Sequence, residues 1–162
     1  MIKENLLDVR GKIILACERV GRNPNSVNLI AVSKTVSADG IKEAASCKQI
    51  HFGENYLQEA SEKMEDLSDL NLHWHYIGRL QSKKIKPIVR LFQTLHSLDS
   101  LAHVKEMNIR CEQENLRRQA YLQVNVAEEK SKGGFPIDGF LTAMPEILLA
   151  QQIDWQGLMV FP

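Results

Sequence analysis

Apolar and polar positions along this chain follow two rhythms, a helical one and an extended one, and the order in which they alternate predicts the fold. Ile2, Leu6, Val9, Ile13 and Ala16 recur on one face of an amphipathic helix that Gly21 ends. Next comes Val27 to Thr35, VNLIAVSKT, a run of β-formers too apolar to have a wet face. It predicts a fully covered strand of a parallel sheet. Gly40 to Ser46 offers Ile41, Ala44 and Ala45 as the packing face of a helix. Further strands are predicted at Gln49 to Asn55, Leu72 to Gly78, Thr94 to Asp99, Ala120 to Val126 and Asp154 to Phe161. Helices fall between them: Tyr56 to about Leu67, a short one after Ser82 carrying Ile85, Ile88 and Val89, one from Leu101 through Cys111, and Asp138 to Ala150. Pro87 lacks the amide that a helix interior needs, so its helix must begin late or kink.

Six strands separated by helices make a βαβ series with right-handed crossovers and a parallel sheet. An open doubly wound sheet would be complete at this length, whereas a closed (β/α)8 barrel typically needs about 250 residues. Length alone therefore favours the open sheet. No Pro/Ser linker divides the 162 residues, which predicts a single domain over 1–162, and the one polar insertion is Glu128 to Gly134.

Charge and cysteine content narrow the partners. Lys plus Arg equals Asp plus Glu at 20 each, so no global field draws the chain to nucleic acid or to an anionic membrane. The first twenty residues carry charges every few positions and lack the apolar run of a signal peptide or membrane span. Cys17, Cys47 and Cys111 are dispersed and odd in number, which points to the reducing cytoplasm rather than to a disulfide framework.

Candidate chemistry collects where the predicted strands end: Ser33-Lys34, Glu54-Asn55, Gly78-Arg79, Asp99, Asn125 and Phe161-Pro162. A lysine among such groups gains from burial, which lowers its pKa and leaves an amine able to form a Schiff base with an aldehyde. As a bare feature, Lys34 fits a strand's exit into solvent equally well. Asn55 and Asn125 could bond an aromatic or carboxylate ligand, or cap the local turns. His73 and His75 share a strand face, a spacing that can hold zinc, but spacing signals no third ligand, and hydrogen-bonded histidines are the expectation. Arg79, Lys83, Lys84, Lys86 and Arg90 form a basic cluster that a solvated helix face explains without a polyanion. Nucleotide and serine-hydrolase motifs, GxGxxG, Walker A and GxSxG, are missing.

Five ordered blocks carry a resemblance. AVSKT at Ala31 to Thr35, FGENYLQE at Phe52 to Glu59, WHYIGRLQSKK at Trp74 to Lys84, SKGGF at Ser131 to Phe135 and GLMVFP at Gly157 to Pro162 resemble the pyridoxal-phosphate homeostasis protein family. That family is similar to the N-terminal barrel of alanine racemase, a fold-type III barrel. The resemblance implies an incomplete (β/α)8 TIM barrel of six parallel strands preceded by a helix, lacking a C-terminal third, with open edges through which copies could self-associate. It implies pyridoxal 5'-phosphate held as a Schiff base on Lys34, with Asn55, His75, Asn125, Lys132 and Met159 as further cofactor-site residues. Lys132 stands where related racemases place an arginine near the ring substituents. Lys83-Lys84 replaces the family's usual Asn-Lys. The implied role is cofactor homeostasis, with PLP-dependent apo-enzymes as partners, in place of a turnover. A racemase-like enzyme and a scaffold with impaired cofactor binding are the alternatives.

Overall fold

In the computed structural model, which describes residues 1–127, 129 and 133–160, the predicted alternation is realised from end to end. Helix α1 spans Ile2–Arg19, β1 Ala31–Val32, α2 Ala38–Ser46, β2 His51–Glu54, α3 Leu57–Asp66 and β3 His73–Tyr76. They are followed by α4 Ile85–Leu91, β4 Thr94–Leu98, α5 Leu101–Gln113, β5 Arg118–Gln123, α6 Ile137–Ile147 and β6 Ile153–Met159. The strands follow one another in the sheet in chain order, β1-β2-β3-β4-β5-β6, and the β1–β2, β3–β4, β4–β5 and β5–β6 pairings are parallel. A doubly wound sheet must reverse its strand order at a switch point. This order never reverses, so the architecture is the barrel succession, and the preference drawn from length is corrected.

The chain divides into two compact units, Met1–His73 and Trp74–Pro162. In the first, α1 ends as its sequence predicts. Gly21 takes φ +64°, and the Arg22 amide reaches back to the Cys17 carbonyl at 2.9 Å, closing the last turn of the helix. The packing stripe differs from the expected one. Ile2, Leu6, Arg10, Ile13 and Cys17 are covered while Val9 and Ala16 are exposed, so the covered face is turned about the helix axis from the purely apolar one toward Arg10 and Cys17. Arg10 earns its covered place by donating to the Cys47 carbonyl at 2.8 Å. Ser37 caps α2 by accepting from the Gly40 amide, and Ile41, Ala44, Phe52, Ala60 and Leu67 are buried.

The first strand is the largest departure. Only Ala31 and Val32 pair, and Val32 is 51% exposed, so the run is neither nine residues long nor fully covered. Upstream, residues 27–30 have no ladder partner, and the Leu29 carbonyl is satisfied instead by the Gln49 side-chain amide at 2.7 Å. One bond from a side chain replaces a strand's worth of backbone pairing.

In the second unit the core is Ile85, Ile88, Val89, Phe92, Leu95, Leu98, Val104, Met107, Cys111, Ala120, Leu122, Ile147 and Ile153. Pro87 is accommodated by a late start: residues 82–84 form a 3-10 turn and α4 begins at Ile85. Pro87 then lies in the first helical turn, where the amide has no partner to lose. Ser100 caps α5 by accepting from the His103 amide.

Candidate functional site

Parallel strands place their carboxyl ends on one side, and in the first unit those ends carry Lys34 after β1 and Asn55 after β2. Lys34 sits in a four-residue turn closed by the Val36 amide on the Ser33 carbonyl at 3.0 Å. Its side chain is exposed, so the expected burial of this lysine is not met. The residue lies beyond the strand, on the turn, where solvent reaches it. Thr35, the next residue, has φ +63°, a left-handed conformation that a β-branched residue rarely adopts.

A charge cluster underlies that turn. Glu54, at the end of β2, is 0% exposed and accepts from Ser33 Oγ at 2.7 Å. Lys63 of α3, 8% exposed, donates to the Ser33 carbonyl at 2.6 Å, to Glu54 Oε1 at 2.9 Å and to Glu59 Oε1 at 2.6 Å. Glu59 in turn accepts from the Thr35 amide. The hydrogen bond from Lys63, then that from Thr35, holds the Glu59 carboxyl below its usual range. Burial pulls the Lys63 ammonium down, but its bonds to Glu59 and Glu54 outweigh that and leave it raised.

Asn55 Oδ1 is buried with no hydrogen-bond partner among the described residues. A buried acceptor left unsatisfied costs free energy unless a ligand or water meets it. Glu54 Oε2 at the same strand end is likewise buried and unpartnered among the described residues, so the ends of β1 and β2 carry one exposed amine and two unclaimed acceptors. An amine can attack an electrophilic carbon, and a buried free acceptor calls for a hydrogen-bond donor. On the same unit, the His51 and His73 rings lie 5.0 Å apart, and burial lowers both of their pKa values.

The remaining candidates lie in the second unit. His75, in β3, is buried and its Nδ1 lies 2.9 Å from His96 Nε2, while His96 stacks on Tyr121 at 4.5 Å. The expectation of a hydrogen-bonded histidine is met, and the row His75, His96, Tyr121 crosses β3, β4 and β5. After β5, Asn125 Nδ2 donates to the Glu129 carbonyl at 2.9 Å, so this side chain ties down its own loop. Met159, at the end of β6, is alongside: its carbonyl accepts from the Val124 amide at 2.9 Å. Lys132, Phe161 and Pro162 lie outside the described residues. At the end of β4, Asp99 Oδ1 stands 2.6 Å from His103 Nδ1. The basic cluster is partly neutralised, since Lys86 and Arg90 both face Glu114, at 3.7 and 2.8 Å. The thiol of Cys111 is pushed up to about 11 by burial and is inert.

Sequence reasoning placed Lys34 and Glu54 at strand ends but missed what joins them. The only legible trace of the cluster was the Glu59 and Lys63 spacing, one helical turn apart. His96 could not be paired with His75 without knowing the strand register.

Comparison with known proteins completes the picture. No family model matches the chain. A pyridoxal phosphate homeostasis protein of Pseudomonas aeruginosa is 38% identical over 161 residues, covering 99% of this chain and 70% of that protein. The protein of the same name from Escherichia coli is 36% identical over 167 residues, with 99% and 70% covered. This chain thus spans about 70% of their length. Among solved structures, PipY of Synechococcus elongatus with PLP bound superposes with a TM-score of 0.88 at 34% identity, covering 100% of this chain and 71% of that one. An alanine racemase of Clostridium difficile superposes over 84% of this chain and 36% of its own, with a TM-score of 0.64 at 15% identity, a likeness of fold. Among the described residues, no helix is long and apolar enough to cross a membrane.

Proposed function

The chain belongs to the pyridoxal phosphate homeostasis protein family, and from that membership we propose that it binds pyridoxal 5'-phosphate covalently through Lys34, as a carrier or buffer of the cofactor. When bound, the cofactor supplies an aldehyde carbon and a phosphate dianion. Lys34 would hold that aldehyde as a Schiff base, the carbonyl oxygen leaving as one water. Asn55 offers its unclaimed acceptor to the ring, and His75, Asn125, Lys132 and Met159 complete the set that the family resemblance assigns. The observation that carries the reading is the exposed Lys34 amine on a held turn after β1, with the unsatisfied Asn55 Oδ1 after the neighbouring strand β2.

A carrier role fits an amine that solvent reaches, because a cofactor held there can be handed to an apo-enzyme. The three unpaired thiols fit a cytoplasmic setting. Among the described residues, strands β1 and β6 stand at the two ends of the sheet order, and both carry exposed apolar side chains, Val32 and Leu158. These edges suit self-association, which light scattering over a dilution series measures. A monomer at every concentration would remove that part of the reading.

The test of the main reading is to mix the protein with pyridoxal phosphate, follow the absorption change and reduce with borohydride. The wild-type chain retains the cofactor after denaturation and Lys34→Ala does not. Equal retention by both would overturn it.

A further inference from the structure

Lys34 has a neighbour on each side whose backbone is held by the same helix. On one side Lys63 Nζ donates to the Ser33 carbonyl at 2.6 Å. On the other the Thr35 amide donates to Glu59 Oε1. Both side chains belong to α3, one turn apart, and they are themselves joined at 2.6 Å. Glu59 lies in the first turn of α3, and Lys63, with Ala60, lies on its buried face. Rigid helical backbone therefore stands behind both contacts.

Thr35 is where this matters. A threonine at φ +63° sits against its own steric preference, and such a conformation persists only where the surroundings over-determine it. Its amide has one acceptor, the Glu59 carboxylate. The Lys34 side chain is exposed, so the direction of its amine is set by the backbone that carries it.

We propose that Glu59, backed by Lys63, is a positioning residue that holds Thr35 in the left-handed conformation and thereby fixes the direction in which the Lys34 amine is presented. The inference rests on the reading of Lys34 as the cofactor lysine and adds the device that aims it. Glu59 touches no reacting atom; it acts through one backbone amide. Lys63 contributes by neutralising Glu59 and by fixing the Ser33 carbonyl at the other end of the turn.

The experiment compares wild type, Glu59→Gln, Glu59→Ala and Glu59→Ala with Thr35→Gly, using two measurements. One is the rate of borohydride-stable attachment of pyridoxal phosphate. The other is hydrogen exchange at the residue 35 amide in the cofactor-free protein. Glu59→Ala slows attachment about tenfold and unprotects the amide, given the strain that a left-handed threonine stores. Glu59→Gln keeps an acceptor oxygen and loses less. Adding Thr35→Gly to Glu59→Ala recovers much of the rate, because glycine takes a positive φ without a Cβ penalty; a general loss of structure would not recover. Unchanged protection of Thr35 in Glu59→Ala would overturn the inference, as would a slowed rate that Thr35→Gly leaves slow. If the wild-type chain attaches no cofactor at Lys34, the functional reading falls, and the amide measurement alone still decides whether Glu59 holds the turn.

Discussion

Two loops at strand ends carry candidate cofactor residues, and they are fixed by opposite means. The Lys34 turn is held by charge: Lys63, Glu54 and Glu59 grip the backbone on both sides of the lysine. The Asn125 loop is held by the Asn125 and Gln123 side-chain amides on loop carbonyls, by backbone bonds and by a glycine. The Asn125 amide donates to the Phe135 carbonyl at 2.9 Å and the Phe135 amide to the Gln123 carbonyl at 2.8 Å. Between them Gly134, at φ +130°, comes so close that a Cβ would lie 2.7 Å from the Asn125 nitrogen. The first arrangement can be tuned by protonation and broken by removing one charge. The second, at its described backbone bonds, is sensitive to a single methyl group.

The largest expected effect is on the charge-held side. Lys63→Met leaves the fully buried Glu54 carboxylate without its cation, and breaking such a pair costs about 3–5 kcal/mol. Denaturant unfolding checks it, and a shift close to zero would mean that the cluster contributes nothing net. Next is Gly134→Ala, which meets both a forbidden φ and a backbone clash and costs about 1–3 kcal/mol. Thermal unfolding measures that loss. Loss of protection at the Asn125 amide with an unchanged Thr35 amide would keep the two loops separate; coupled loss would break the comparison.

The smallest effect is the pH response. Glu59 has a folded pKa below its ordinary 4.5. Its contribution is therefore fully present above 4.5 and is lost as pH falls through the lowered value. Lys63 is raised above 10.5, so its contribution is present below 10.5 and is lost as pH rises through the raised value. Exchange at the Thr35 amide, corrected for intrinsic rates, accelerates at both extremes. The Asn125 amide, which bonds a backbone carbonyl, stays flat through the acid limb.

The alternation of elements was legible because hydrophobic periodicity is a local property, and each of the six predicted strands has a counterpart in the sheet. What escaped was whatever depends on neighbours. Residues 27–30 have β-forming composition, but a strand needs a partner, and Leu29 found a glutamine side chain instead. Length argued for an open sheet, whereas strand order, which no single segment encodes, gave the barrel succession. Lys34 stood out as a cation ending an apolar run. Its clamp did not, because Glu54 and Lys63 meet only once β2 and α3 have folded onto each other. The burial expected for Lys34 failed for a related reason: the turn after β1 carries it beyond the covered part of the strand.

The most direct measurement is to incubate the chain with pyridoxal phosphate, reduce with borohydride, digest and map the modified lysine by mass spectrometry. The account predicts one dominant adduct, on Lys34, formed before any other lysine reacts. An adduct spread over exposed lysines such as Lys83 and Lys84, or centred on any residue other than Lys34, would contradict it.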